Sequence, residues 1–210
     1  MTASKPGPLV LACISSAWHN LSWTPNSGIG ATAKMTKLVL RISLLLCLAA
    51  TFWGQTADWK TYKNVDGNFS ILFPSAPKDE LSQKDAASET HTVLAQPSPG
   101  YGYGVVYTSI AAEHPVDDAA FASFRDGAFK AMAPCKVTSD GPSSLEVRGY
   151  ISHFYRFSCP FETGAVTIVA NLYVGKHYGY FVMIVFKSSL PEPPETDKFL
   201  NSFSVIDAAK

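Results

Sequence analysis

YISHFYRFSC (150–159), AVTIVANLYV (165–174) and YGYFVMIVFK (178–187) follow one another with only PFETG (160–164) and GKH (175–177) between them. All three segments are rich in β-branched and aromatic residues, and connections this short join antiparallel neighbours, so the three predict an antiparallel meander. Tyr180 to Phe186 is nearly all apolar, the composition of a central strand covered on both faces.

Working outward from the meander, the upstream chain also reads mostly as strands. Trp59–Asn64 and Phe69–Pro74 flank Val65-Asp66-Gly67-Asn68, where Asp-Gly offers the positive backbone angles of a tight hairpin turn. Phe69, Ile71 and Phe73 then share one face. Lys78–Ser88 is polar enough to be an exposed loop or an edge strand, His91–Ala95 predicts a strand, and Tyr101–Ile110 predicts a longer one after Pro97-Ser-Pro99-Gly100. Asp117–Ala133 predicts the first helix, with Asp117 as N-cap, Val116 and Phe121 as a hydrophobic staple, and Phe121, Phe124, Ala128, Ala131 and Met132 on one face. Cys135–Asp140 and Leu145–Arg148 are short candidate strands, and Glu192–Ser202 is a second candidate helix. An antiparallel sheet with helices before and after its meander gives an α+β layered domain over residues 58–210.

Charge separates that domain from what precedes it. The 210 residues balance 17 basic against 17 acidic groups. Lys5, Lys34, Lys37 and Arg41 are the only charges before Asp58, so the remaining 13 basic and 17 acidic groups leave residues 58–210 at −4. No basic footprint exists for a nucleic acid. Met35-Thr-Lys37-Leu-Val-Leu-Arg41 followed by the uncharged run Ile42–Trp53 has the basic-then-apolar order of a secretory signal. The run of about 12 residues falls short of the roughly 20 needed to span a bilayer, so no stable membrane span is expected after signal removal. Residues 35–57 are read as the signal and Met35 as the true start. Residues 1–34, which lack any helical or strand period, are read as a mis-assigned or disordered extension. The chain is expected to be exported to the periplasm or the extracellular space, and to be a monomer.

Beyond the signal only Cys135 and Cys159 remain, and in an oxidising compartment a pair tends to close. One disulfide is the economical reading, with two separately buried thiols or a redox pair as alternatives. If their strands are antiparallel neighbours with residue numbers summing near 294, Cys135 faces Cys159, Val137 faces Phe157 and Asp140 faces Phe154. The intervening Leu145–Arg148 is a rival partner for the first strand.

Trp59-x-x-Tyr62, Asp66-Gly67-x-Phe69-Ser70-Ile71-x-Phe73-Pro74-x-x-Pro77 and the closing Lys198-Phe199-Leu200-x-Ser202-Phe203 resemble the PsbP-like superfamily over nearly all of residues 58–207. The resemblance implies an α/β/α sandwich, an antiparallel sheet flanked by helices, in an exported bacterial branch of a family that acts by binding and assembly. It carries over no catalytic residue, and nothing selects the photosystem or Ran-binding branch. Its motifs are packing motifs, which specify fold better than activity.

Candidate chemistry is sparse. His91, His114, His153 and His177 form no i, i+4 pair, so no metal site is read from them. There is no G-x-S-x-G elbow, and Gly100-Tyr-Gly-Tyr-Gly104 precedes a strand without the lysine or helix of a phosphate loop. Tyr101 and Tyr103 are either a contact surface of tyrosines spaced by glycines or residues packing one face of a strand entrance. Asp117, Asp118, Glu192, Glu195 and Asp197 read as helix-start acids. No catalytic residue, cofactor or metal is assigned. Two functions remain: an exported non-catalytic binding or assembly protein that binds another protein or an envelope component, or a small-ligand carrier or unrecognised enzyme with a pocket between sheet and helix.

Overall fold

The computed structural model describes residues 58–206 apart from 85, 87, 112, 162 and 163, so the signal segment and the N-terminal extension lie outside the described residues. Ten strands and two helices follow in chain order. They are β1 (Lys60–Asn64), β2 (Phe69–Phe73), β3 (Lys78–Lys84), β4 (Ser88–Ser98), β5 (Tyr101–Ile110), α1 (Asp118–Ala131), β6 (Lys136–Pro142), β7 (Ile151–Phe161), β8 (Gly164–Val174), β9 (Tyr178–Lys187), α2 (Thr196–Leu200) and β10 (Ser204–Val205).

A seven-stranded antiparallel sheet runs β3-β4-β5-β9-β8-β7-β6, and a three-stranded one runs β1-β2-β10. The predicted meander occupies the middle of the large sheet and continues to its β6 edge. Antiparallel register puts directly opposed residues on one face, so alternate residues of β5, β8 and β9 feed two separate cores. On one face Tyr103, Val105, Tyr107, Tyr180, Val182 and Ile184 meet Phe69, Ile71 and Phe73 of the small sheet and Phe199, Leu200 and Phe203 around α2. On the other, Phe157, Ile168, Leu172, Phe181 and Met183 meet Phe121 of α1 and Met132 at its C-cap.

This arrangement corrects the α+β expectation of an α/β/α sandwich flanked by helices. The protein is β-rich: one face of the large sheet is covered chiefly by a second sheet, and the helices there amount to the five residues of α2. The physical reason lies in Pro193 and Pro194, which bias Glu192 and Pro193 away from helical angles, and the helix expected from Glu192 begins only at Thr196. The same face gains β10, a two-residue strand too short to show a period, paired through Ser204 and Val205 with Ser70 and Phe69.

Local readings shift in smaller ways. α1 starts where Asp117 predicts, its carboxylate accepting the Ala120 N–H at 2.8 Å. In the β1–β2 turn it is Asn68 that takes the positive φ, 54°. Gly67 is needed for space instead, since a Cβ there would lie 2.9 Å from the Phe69 ring. Leu145–Arg148 forms no strand: the Ser143 hydroxyl caps a bend, accepting the Leu145 N–H at 3.2 Å. β6 is thereby left free to pair with β7. Its first pairs, Lys136 with Ser158 and Val137 with Phe157, sum to 294 as expected. A bulge between Val137 and Ser139 then places Asp140 opposite Tyr155, not Phe154.

Candidate functional site

Two places on the molecule gather polar or apolar groups beyond the needs of packing. The first joins the two sheets. Asp79 on β3 accepts from the Asn64 amide at 2.8 Å and from the Tyr62 hydroxyl at 3.3 Å. Asn64 is buried, and its own oxygen accepts the Gly67 N–H at 2.6 Å, which holds the turn. The other oxygen of Asp79 lies 3.3 Å from Nδ1 of His91, whose ring stacks on Tyr107 at 4.8 Å and 7°. Nε2 of His91 is 3.8 Å from Glu89, and Glu89 pairs with Lys84. That lysine's hydrogen bond and charge hold the Glu89 carboxyl below its usual range.

The phenols around the network are held neutral. Burial, then the Asp79 charge, pushes Tyr107 up to about 12, and the same causes raise Tyr62. Neutral phenols and a carboxylate already accepting from Asn64 and Tyr62 make a joint between hairpin and edge strand, not an activated nucleophile. Around this joint sit Val65 in the turn, 75% exposed, and Leu81 on β3, 54% exposed and directly opposite His91. These are the two most exposed large hydrophobic residues among the described ones.

The second place is a groove of about 400 Å³ on the α1 face, at the end of the large sheet. Phe161, Gly164, Ala165 and Val166 come from the β7–β8 hairpin, and Lys187, Ser188 and Ser189 from the end of β9. In register, Cys159 faces Val166 and Val166 faces Lys187, so these three form one row across β7, β8 and β9.

The residues singled out from sequence fall as follows. Cys135 and Cys159 are at disulfide distance, with sulfurs 2.03 Å and Cα atoms 4.1 Å apart. Of the tyrosine pair offered as a contact surface, Tyr103 is 5% exposed and sits edge-on to Trp59 at 5.6 Å and to Phe199 at 5.3 Å. Burial raises it to about 12. Tyr101 stacks on Phe186 and donates to the Pro191 carbonyl at 3.2 Å. Both pack the strand entrance, and Gly102 and Gly104 make room on the opposite face for Leu94. His114 bonds the Pro115 carbonyl, His177 pairs with Glu113 and His153 lies against Phe121, so only His91 joins a cluster. Among the described residues no group of three or more His, Cys, Asp or Glu is placed to hold a metal ion. No described helix is long and apolar enough to cross a membrane.

The joint was not legible from spacing, since Tyr62, Asp79 and His91 come from three strands whose pairing decides their meeting. Lys187-Ser-Ser189 gave no signal beyond a strand end.

No family model matches the chain, and no curated protein matches it. Among solved structures, one from Pseudomonas aeruginosa, a protein of unknown function described as a candidate regulator, aligns over 64% of this chain and 98% of its own at 12% identity, with a TM-score of 0.34.

Proposed function

We propose that the protein is an exported, disulfide-stapled binding protein of the cell envelope. Its contact surface is the joint where the β1–β2 turn meets β3. The observation that carries the reading is the exposure of Val65 and Leu81 around Asp79, His91 and Glu89: an apolar rim with ionisable groups inside it is the composition of a protein contact patch. Export is supported by the cysteine pair at bonding distance, the state favoured in an oxidising compartment. Kinship with PsbP-like proteins is supported by the packing of the second quoted motif on the third, Phe73 against Phe199 and Phe69 against Phe203.

Contact is through side chains and not through strand addition. Both free edges of the large sheet are bulged, β3 between Leu81 and Gln83 and β6 between Val137 and Ser139, and charged residues line the first. Those features blunt edge-to-edge pairing and favour a monomer. A photo-reactive residue replacing Leu81 in the native host tests the surface, with the same probe at Val137, also exposed, as control. A discrete cross-linked partner from position 81 alone is expected. The same products from both positions, or none from 81, would overturn the reading. Intact mass of the envelope form should lack residues 35–53.

A further inference from the structure

We propose that the Cys135–Cys159 disulfide is a redox latch on β6, at the opposite edge of the large sheet from the contact surface above: a dithiol opens it, and β6 leaves the sheet while the rest of the fold persists. Met132 is buried in the second core and Leu145 packs against the first. Among the described residues none from 133 to 144 is buried, and six of the seven residues of β6 are exposed. The ladder from β6 to β7 is broken by the bulge between Val137 and Ser139, and Thr138 and Ser144 reach the Arg156 carbonyl and the Asn201 side chain through exposed hydrogen bonds of 3.3 and 2.8 Å. The disulfide fixes this stretch covalently to a buried residue: Cys159 is 1% exposed, and Cys135 is partly buried against the second core.

A segment held by few buried apolar contacts and by exposed hydrogen bonds opens locally at a free energy well below that of global unfolding. Without the covalent tie, β6 is such a segment. β7 stays behind, because it pairs with β8 from Ile151 to Phe161 and buries Tyr155, Phe157 and Cys159. The opening step is thiol–disulfide exchange. A thiolate of the reductant attacks Sγ of Cys135, the less buried of the two cysteines; the disulfide bond breaks, and its electron pair goes to Sγ of Cys159, which takes a proton. The second thiol of the reductant then attacks the reductant sulfur now bonded to Cys135, and Cys135 leaves and takes the second proton. The protein gains two electrons and two protons, and the dithiol departs as a cyclic disulfide. With β6 away, the backbone of β7 from His153 to Ser158 is open to an extended strand from a partner, the pairing that the closed, bulged edge prevents.

Amide hydrogen exchange tests the latch on the oxidised protein, the protein reduced with dithiothreitol, and the double variant Cys135→Ser/Cys159→Ser. In the reduced protein and in the variant, the amides of residues 136–141 should exchange at least about tenfold faster than in the oxidised protein, at a rate that dilute urea leaves unchanged. The amides of residues 153–158 that bond β6 should follow them. β8 and β9 should remain slower than β6 by at least about a hundredfold and accelerate with urea, the signature of exchange through global unfolding. A disulfide that served only as a general staple would leave β6 in step with β8 and β9 after reduction, and that result would overturn the proposal, as would equal exchange of β6 in the oxidised and reduced proteins. The attacked sulfur is assigned with single variants. Cys159→Ser, which keeps Cys135, should react with a small aromatic disulfide at least about tenfold faster than Cys135→Ser, which keeps Cys159, each checked for an unchanged circular dichroism spectrum. Equal or reversed rates would overturn the assignment of Cys135 as the point of attack.

Discussion

The Tyr180 hydroxyl, on the central strand of the large sheet, donates a 2.9 Å hydrogen bond to the carbonyl of Gly67 in the turn of the small one. The bond is buried, and it fixes where the hairpin docks. The Tyr180 ring lies edge-on to Phe69 and Phe203, so Tyr180→Phe keeps the packing and removes the hydroxyl, which also faces Tyr150. A buried carbonyl left without its partner costs about 1–3 kcal/mol, and that loss is expected in chemical denaturation. Tyr178→Phe is the control. It removes an exposed bond to the Asp66 carbonyl and should change stability by no more than about 0.5 kcal/mol.

Gly179 stands where α1 crosses the sheet. A Cβ at that position would lie 2.3 Å from the ring of Phe124, so the helix rests on bare backbone there. Gly179→Ala should destabilise by about 1–3 kcal/mol or more through overpacking. The cost should shrink in a Phe124→Leu background, and the coupling in that double-mutant cycle is the measurement that assigns the effect to this contact. Phe121, 5% exposed on the same helix face, should cost about 3–5 kcal/mol on truncation to alanine.

Those positions show which features could be read in advance. Phe121 was legible because an amphipathic helix repeats its apolar residues at a period set by local geometry. The meander was legible because short connections leave few ways to pair. The covering of the other face was not. Whether Phe69, Ile71 and Phe73 lie under a helix or belong to a second sheet depends on Pro193 and Pro194 shortening α2 and on Ser204–Val205 pairing with β2 across more than a hundred residues. The joint of Asp79 and His91 escaped for the same reason. The cysteine pairing was legible in its register, yet it required Leu145–Arg148 to bend away, a choice made by Ser143.

Stability should also fall at high pH, and the direction follows from the buried phenols. Tyr103 and Tyr107 ionise near 10 when unfolded and are pushed up to about 12 in the fold, chiefly by burial. A raised acid pKa means the folded state holds its protons longer. The stabilisation tied to those protons is complete below pH ~10 and is lost as the pH climbs through about 12. Unfolding free energy should be level below that window and drop within it, with phenolate absorbance rising in step. A level profile through the window would contradict the burial of these two rings.

The Cys135–Cys159 link closes a loop with a sequence separation of 24. In the chain-entropy account such a loop stabilises by about 3 kcal/mol, so replacing both cysteines by serine should lower the unfolding free energy by roughly that amount. Reductant should lower the wild type by a similar margin and leave the double variant unchanged.

Asn171 offers the sharpest test of the interior. It lies on β8 between Phe154 and Val182, is 1% exposed, and neither its amide nitrogen nor its oxygen has a hydrogen-bond partner. The Tyr173 hydroxyl, two residues along the same face, likewise makes no close hydrogen bond; burial raises its pKa, and its neighbours Ser143 and Asn171 draw it partly back. Burying an unsatisfied polar atom costs about 1–3 kcal/mol, whereas an apolar side chain of the same shape carries no such cost. Asn171→Leu is therefore expected to raise the denaturation midpoint at unchanged slope, by about 1–3 kcal/mol, and Tyr173→Phe to act in the same direction. The two gains should not add, because the groups share one pocket of the core. A loss of stability in Asn171→Leu would reverse the sign and show that the amide is satisfied in solution.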